Sequence, residues 1–282
     1  MRVVALIENT SASDKLKVEH GISLYIENAG VKYLIDTGAS DKILFNAKRL
    51  GVDLSGVSIV LISHNNYAHT GGLDDIYKLN KNITIYAKKD CLLDHYLKQS
   101  LIRVHMNKFG YLHEEHPENF ILYNNFQQID SGFFAMSNEH PDTSFYCEDK
   151  SMFIKKDGKV IRDDFGHEAF YVIFPDNDRG AGAVVISPCS LCGITNVLKT
   201  VKKRFPGSSI QCVIGGFHLM GSSTKKLSCS VDHVEKTVNE LMTIETGTIY
   251  TCHCTGLTGY GIMKQNLGDR LQYLQTGEEL TF

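Results

Sequence analysis

Apolar residues in this chain fall into short runs bounded by turn residues, and the runs alternate with stretches where they recur every three or four positions. Val3-Val4-Ala5-Leu6-Ile7, Ser23 to Ile26 and Val31 to Ile35 read as strands, the last two joined by a turn around Asn28-Ala29-Gly30. Asp41 to Leu50 has helical spacing and stops at Gly51. Val57 to Ile62 is apolar except for Ser58, as a buried strand is, and Leu73 to Leu79 returns to helical spacing. A strand at Ile83 to Ala87 and a helix from Cys91 to Lys98 complete the opening half.

From Leu101 to Gln128 the pattern weakens, with His105, His113, His116 and many polar residues, which predicts irregular structure or a cap around 100–130. His113-Glu114-Glu115-His116 has no supporting cluster and reads as a solvated turn. Met152 to Val160 contains a hairpin with Asp157-Gly158 at its tip. Strands are expected at Glu168 to Phe174, Ala183 to Ile186, Gln211 to Ile214 and Thr248 to Thr251. Helices are expected at Gly193 to Phe205, Val231 to Ile244 and from about Tyr260 to Leu274. No linker or repeat divides the chain, so residues 1–282 read as one α/β domain.

Composition narrows the class. With 282 residues, 43% of them hydrophobic, and a net charge of −3, the chain can bury a substantial core and has no basic excess to attract nucleic acid. No apolar run reaches the roughly 18 residues that span a membrane, and Met1 to Thr10 lacks a basic segment followed by a long apolar stretch. The 8 cysteines are scattered, several on apolar strands, which suits a reducing compartment. The expected location is the cytoplasm.

The chemistry centres on Ser63-His64-Asn65-Asn66-Tyr67-Ala68-His69-Thr70-Gly71-Gly72-Leu73, which links a strand to a helix. The glycine pair lets the helix start close to whatever occupies the loop, an arrangement that suits a metal or an anion. Leu34-Ile35-Asp36-Thr37-Gly38-Ala39-Ser40 also matches an aspartic-protease turn, with Asp130-Ser131-Gly132 as a second copy. That reading ranks low, because the second copy lacks a clear strand approach and the loops from His64 to Thr255 stay unexplained.

The loop resembles that of the metallo-β-lactamase superfamily, His-x-His-x-Asp-His followed by Thr-Gly-Gly, with His64, Asn66, Ala68 and His69 at its four ligand positions. Asp36-Thr37-Gly38 is similar to the superfamily's Asp-Thr-Gly turn. Cys189-Ser190-Leu191-Cys192-Gly193-Ile194 resembles a Cys-Ser-His-x-Gly-Ile segment. Gly215-Gly216-Phe217-His218-Leu219, His253-Cys254-Thr255-Gly256, Glu8-Asn9-Thr10 and Glu19-His20-Gly21-Ile22-Ser23 are similar to signatures of the dihydropterin ribofuranosyl-aminobenzene phosphate synthase branch. The fold implied is an αββα sandwich of two mixed β-sheets flanked by helices.

The resemblance implies one metal at positions 64, 66 and 191 and a second at 68, 69 and 253. Here those positions hold His64, Asn66 and Leu191, and Ala68, His69 and His253. An amide oxygen is a weak donor for zinc and alanine or leucine is none, whereas a catalytic zinc takes three protein ligands plus water. The expectation is a degenerate site with no metal or one weakly bound divalent ion (zinc, iron or manganese) on the residual His64, His69 and His253. Cys192 and Cys254 are the candidate replacement donors. Asp36, His64, His69 and His253 are the candidate catalytic residues, an imidazole being able to act as a base near neutral pH.

His20, Ser23, Asn66, Ser190, His218 and Thr255 are expected to converge on one edge and hold a small anionic or phosphorylated ligand. The function expected is therefore ligand binding with reduced or absent hydrolase or transferase activity. Two alternatives stand beside it: an active one-metal hydrolase or transferase at His69 and His253, and a non-catalytic partner-binding scaffold.

Overall fold

Strands with two apolar faces decide the architecture. In Arg2–Ile7, Val3 and Ala5 join one core while Val4 and Leu6 join another, because successive side chains of a strand point to opposite sides. A sheet built this way must be covered on both faces.

The computed structural model describes residues 1–99, 102–106, 108–221 and 225–282. Two seven-stranded sheets face each other. In spatial order the first is Glu279–Thr281, Arg2–Ile7, Ser23–Asn28, Val31–Ile35, Ile59–Leu61, Thr84–Lys88 and Phe120–Tyr123. The second is Leu271–Tyr273, Thr248–Thr251, Ile210–Gly215, Ala183–Ser187, Phe170–Ile173, Phe133–Met136 and Phe126–Asp130. Both are mixed. The first is parallel from Val31–Ile35 to Phe120–Tyr123, the second from Leu271–Tyr273 to Ala183–Ser187, and the remaining pairs are antiparallel.

Val3, Leu24, Tyr33 and Leu61 of the first sheet pack on Phe133, Tyr171, Val184 and Ile214 of the second. The outer face of the first sheet is covered by Ile43 and Ala47 of the helix Lys42–Arg49 and by Leu73 and Ile76 of Leu73–Leu79. Helices Ile194–Arg204, Val231–Thr243 and Gly256–Leu267 cover the second through Val197, Val238 and Met263. Each fully buried apolar side chain contributes roughly 1.5–3 kcal/mol, so these three cores hold the loops at the sheet edges in place. The order of layers is helix, sheet, sheet, helix, the αββα sandwich expected from the sequence.

A smaller four-stranded sheet, Lys159–Arg162, Met152–Lys156, His95–Gln99 and Ile102–Met106, is added to this frame. It departs from the sequence reading, which placed a helix at Cys91 to Lys98. A 3-10 turn at Lys89–Leu92 precedes a strand instead, because pairing with Met152–Ile154 outweighs local spacing.

The stretch read as a cap around 100–130 divides. Ile102–Met106 joins the small sheet, Lys108–Glu115 is a helix that carries His113, Glu114 and Glu115, and Phe120–Tyr123 and Phe126–Asp130 are edge strands of the two large sheets. Residues 100, 101 and 107 of that stretch lie outside the described residues. The last helix ends earlier than expected, at Leu267. Gly268 turns the chain at φ 52°, and Leu271–Tyr273 becomes a parallel edge strand beside Thr248–Thr251.

Candidate functional site

Five loops converge at the carboxyl ends of parallel strands, where open α/β sheets bind ligands. Val31–Ile35 leads to Asp36 and Ile59–Leu61 to the His64–His69 loop. On the other sheet, Ala183–Ser187 leads to Cys189, Ile210–Gly215 to His218, and Thr248–Thr251 to His253 and Cys254. Asp36, Ser190, His218 and His253 all hold left-handed backbone, with φ between 48° and 55°. Such conformations are uncommon outside glycine and gather at functional sites. At Gly71 a Cβ would run into the Ala39 backbone, so the loop requires glycine there.

Asp36 organises the histidine side. It is fully buried, and it accepts hydrogen bonds from the Ser63 backbone N–H (2.8 Å), the Ser63 hydroxyl (2.7 Å) and His69 Nδ1 (2.7 Å). With its own proton directed at Asp36, Ser63 Oγ accepts from His64 Nδ1 at 3.0 Å. Asn9 donates its Nδ2 to the His253 carbonyl (3.0 Å), which leaves its Oδ1 to accept from His253 Nδ1 at 3.1 Å. Nδ1 is thus the donor to these partners in all three of His64, His69 and His253. His64 Nε2 is buried and has no partner among the described residues.

The three rings are close: His64 and His69 centroids lie 4.0 Å apart, His69 and His253 5.1 Å, and His20 stacks 4.8 Å from His253. Burial keeps His64 and His253 neutral, well below the ordinary imidazole range, reinforced by the neighbouring histidines. It also takes His20 down to about 4.

The thiol side has the opposite character. Cys189 Sγ lies 3.1 Å from His218 Nδ1 and 3.3 Å from Cys254 Sγ. The His218 backbone N–H donates to Cys254 Sγ (3.2 Å), and its Nε2 faces Asp149 Oδ2 at 3.4 Å. Burial opposes charge on both Cys254 and His218. Hydrogen bonds from Cys189 and His218 overcome it at Cys254, taking the thiol down to about 5, and bonds to Asp149 and Cys254 take His218 up to about 10. Both shifts favour the charged forms, thiolate at Cys254 and imidazolium at His218.

The cavity between the two sides is small, about 20 Å³, room for one water. It is lined by His20, Asn66, Ala68, His69, His218, His253 and Cys254 from the sequence reading. Tyr67 lines it too, as do Leu97, Asp149, Met152 and Cys189, which went unread as site residues. Cys189 stood in the quoted Cys-Ser segment, whereas nothing in the local sequence marks Asp149. Leu97 and Met152 come from the small sheet, which therefore roofs the cavity.

Other expected residues point elsewhere. The Ser23 hydroxyl donates to the Asp36 carbonyl (2.8 Å) and that of Ser190 to Ser187 Oγ (2.8 Å). Thr255 Oγ1 bonds Thr251 Oγ1 and accepts from the Phe217 N–H. These three hydroxyls support loops and do not line the cavity. Cys192 faces a separate cavity of about 410 Å³ beside Lys88 and Glu168, and so lies apart from the histidines it was expected to assist. Glu168 accepts from the backbone N–H groups of Leu191 and Cys192, fixing that segment.

Three donor groups bring their ligand atoms within 4.8 Å of one another among the described residues: His64, His69 and Cys189; Cys189, His218 and Cys254; and His95, Asp163 and His167. In the last, each ring nitrogen already bonds Asp163, the Asp90 carbonyl or the Asn65 N–H. His253 enters none of them.

Residues 17–126 match the model of the metallo-β-lactamase superfamily. The chain is similar to that superfamily over this stretch. Over 278 residues it is 26% identical to the 7,8-dihydropterin-6-methyl-4-(β-D-ribofuranosyl)-aminobenzene-5′-phosphate synthase of Methanocaldococcus jannaschii, covering 94% of this chain and 90% of that protein. An uncharacterized protein of the same organism is 29% identical over 257 residues, 89% of each. A solved metal-dependent hydrolase of the β-lactamase superfamily superposes with a TM-score of 0.80 and 27% identity, covering 100% of this chain and 99% of that one. At the superfamily's ligand positions, Asn66 Oδ1 accepts the Ala68 N–H (3.1 Å), Ala68 has no donor atom in its side chain, and Leu191 packs with Leu97, Met152 and Phe165.

Proposed function

We propose that this metallo-β-lactamase-fold protein has given up the paired-metal centre and binds a small anionic or phosphorylated molecule, with at most one divalent ion and reduced or absent hydrolytic or transfer activity. The observation that carries the reading is the state of three side chains at ligand positions. Asn66 uses its oxygen to cap a helix, Ala68 offers no donor, and Leu191 is held in an apolar cluster. A pair of metals does not fit these residues, since each catalytic ion needs about three protein ligands. A metal, when bound, lowers the pKa of water from 15.7 towards about 7. With fewer ions the imidazoles of His64, His69 and His253 are the bases that remain.

The phosphate in the name of the Methanocaldococcus jannaschii synthase supports a phosphorylated ligand. The cavity admits little more than a water, so such a ligand engages its mouth, where His20 and the half-exposed Tyr67 stand. Metal analysis of the purified protein is expected to give no more than one equivalent of zinc, iron or manganese; two equivalents would overturn the reading. Calorimetric titration with ribose 5-phosphate and inorganic phosphate is expected to show saturable binding weakened at least about tenfold in His20→Ala. Absence of binding to either probe removes the ligand half of the proposal.

A second reading, the one-metal enzyme, is favoured by the unpartnered Nε2 of His64 and the closeness of His64, His69 and Cys189. Metal-dependent turnover of a phosphoester, thioester or lactone that disappears in His69→Ala would establish it.

A further inference from the structure

Cys189, His218 and Cys254 stand apart from the superfamily's ligand positions, and their arrangement is that of a soft-metal site. The Sγ atoms lie 3.3 Å apart and His218 Nδ1 is 3.1 Å from Cys189 Sγ. Zinc bonds of about 2.3 Å to sulfur and about 2.0–2.1 Å to nitrogen give tetrahedral edges of about 3.5–3.8 Å. These two edges need lengthen by only about half an ångström, and all three donor atoms lie within 4.8 Å of one another.

Three supporting features accompany the triad. His218 Nε2 faces the Asp149 carboxylate, the outer partner that metal-bound histidines usually have, which leaves Nδ1 for the ion. The His218 backbone N–H points at Cys254 Sγ, as befits a sulfur carrying negative charge. Gly216 lies against Cys254 Sγ, where a Cβ would displace the sulfur. Leu97 and Met152 of the small sheet close the site, and the cavity of about 20 Å³ that the donors line has room for one water as a fourth ligand.

We propose that Cys189, His218 and Cys254 form a two-sulfur, one-nitrogen zinc site, displaced from the superfamily's histidine loop towards the loops of the second sheet. Thiolates select zinc over harder cations such as magnesium and calcium. The inference rests on the reading of a centre with at most one ion, and names where that ion sits.

Cobalt titration of metal-free protein tests it, because cobalt bound to thiolate absorbs in the near ultraviolet in proportion to the number of sulfurs. Wild type is expected to saturate at one equivalent with the intensity of two thiolates. Cys254→Ser should halve the band and weaken binding at least tenfold, His218→Ala should weaken binding similarly, and His64→Ala should leave the band unchanged. A one-thiolate band that survives Cys254→Ser and is lost in His64→Ala would put the ion on His64, His69 and Cys189 and overturn the inference. So would the absence of any charge-transfer band. X-ray absorption of the zinc-loaded wild type reads the sulfur count without a variant that has to fold: two sulfurs are expected, and one or none contradicts the site. One equivalent with one sulfur defeats this inference alone, whereas two equivalents defeat the function proposed above.

Discussion

Asp36 is the residue on which the histidine side depends, since a single buried carboxylate aligns Ser63 and His69 and, through Ser63, His64. Removing it strands an N–H, a hydroxyl and an imidazole out of reach of water. Asp36→Ala is therefore expected to destabilise the fold by about 3 kcal/mol in urea unfolding, the scale of breaking a buried charged network. A loss below about 1 kcal/mol would mean that water replaces the carboxylate. On the thiol side, thiolate absorbance of metal-free protein is expected to titrate near pH 5 because of Cys254, and to move towards the ordinary thiol range in His218→Ala. A wild-type midpoint at the ordinary thiol value would show that His218 does not hold the charge.

At the scale of elements, the short helix Tyr67–Thr70 depends on its cap. Asn66 accepts the Ala68 N–H, so Asn66→Ala is expected to cost about 1 kcal/mol of unfolding free energy. Restoring the superfamily pattern with Asn66→His, Ala68→Asp and Leu191→His is expected to raise metal content towards two equivalents while lowering stability, since the new histidine at 191 enters an apolar cluster. Unchanged metal content would show that the loops have moved from the superfamily geometry.

Most elements were legible because their periods are strong: Lys42–Arg49, Leu73–Leu79, Ile194–Arg204 and the expected buried strands lie within two residues of their expected bounds, whereas the buried strand Phe133–Met136 was not anticipated. His95–Gln99 and Leu271–Tyr273 were misread as helix because strand pairing across distant sequence decides them. The loop histidines could be read from spacing. The orientations of Ser23, Ser190 and Thr255, and the partnership of Cys189 with His218 and Cys254, depend on which loops meet, and no local pattern encodes that.

For the whole molecule, the buried histidines set the response to acid. His64, His167 and His253 are fully buried with pKa values depressed by burial, and His20 falls to about 4. In the unfolded chain all four titrate near about 6.5. Their folded values lie lower, so the unfolded state binds more protons, and stability that is complete above about pH 6.5 declines as the pH falls towards the folded values. Glu8 and Glu168, raised by burial, and His218, raised by its bonds to Asp149 and Cys254, act in the opposite direction but are fewer. Urea unfolding of metal-free protein is expected to show stability dropping between pH 7 and 5 by more than the roughly 1.4 kcal/mol per pH unit that one proton gives. A flat profile would contradict neutral histidines in the core.

The convergence of loops from both sheets has one more consequence. Donors at 64 and 69 follow the first sheet, those at 189, 218 and 254 follow the second, and Asn9 ties His253 to the amino-terminal end. Neither half of the polypeptide contains the full constellation. An ion captured there would act by mass action on complete unfolding, slowing hydrogen exchange in the central strands of both sheets together.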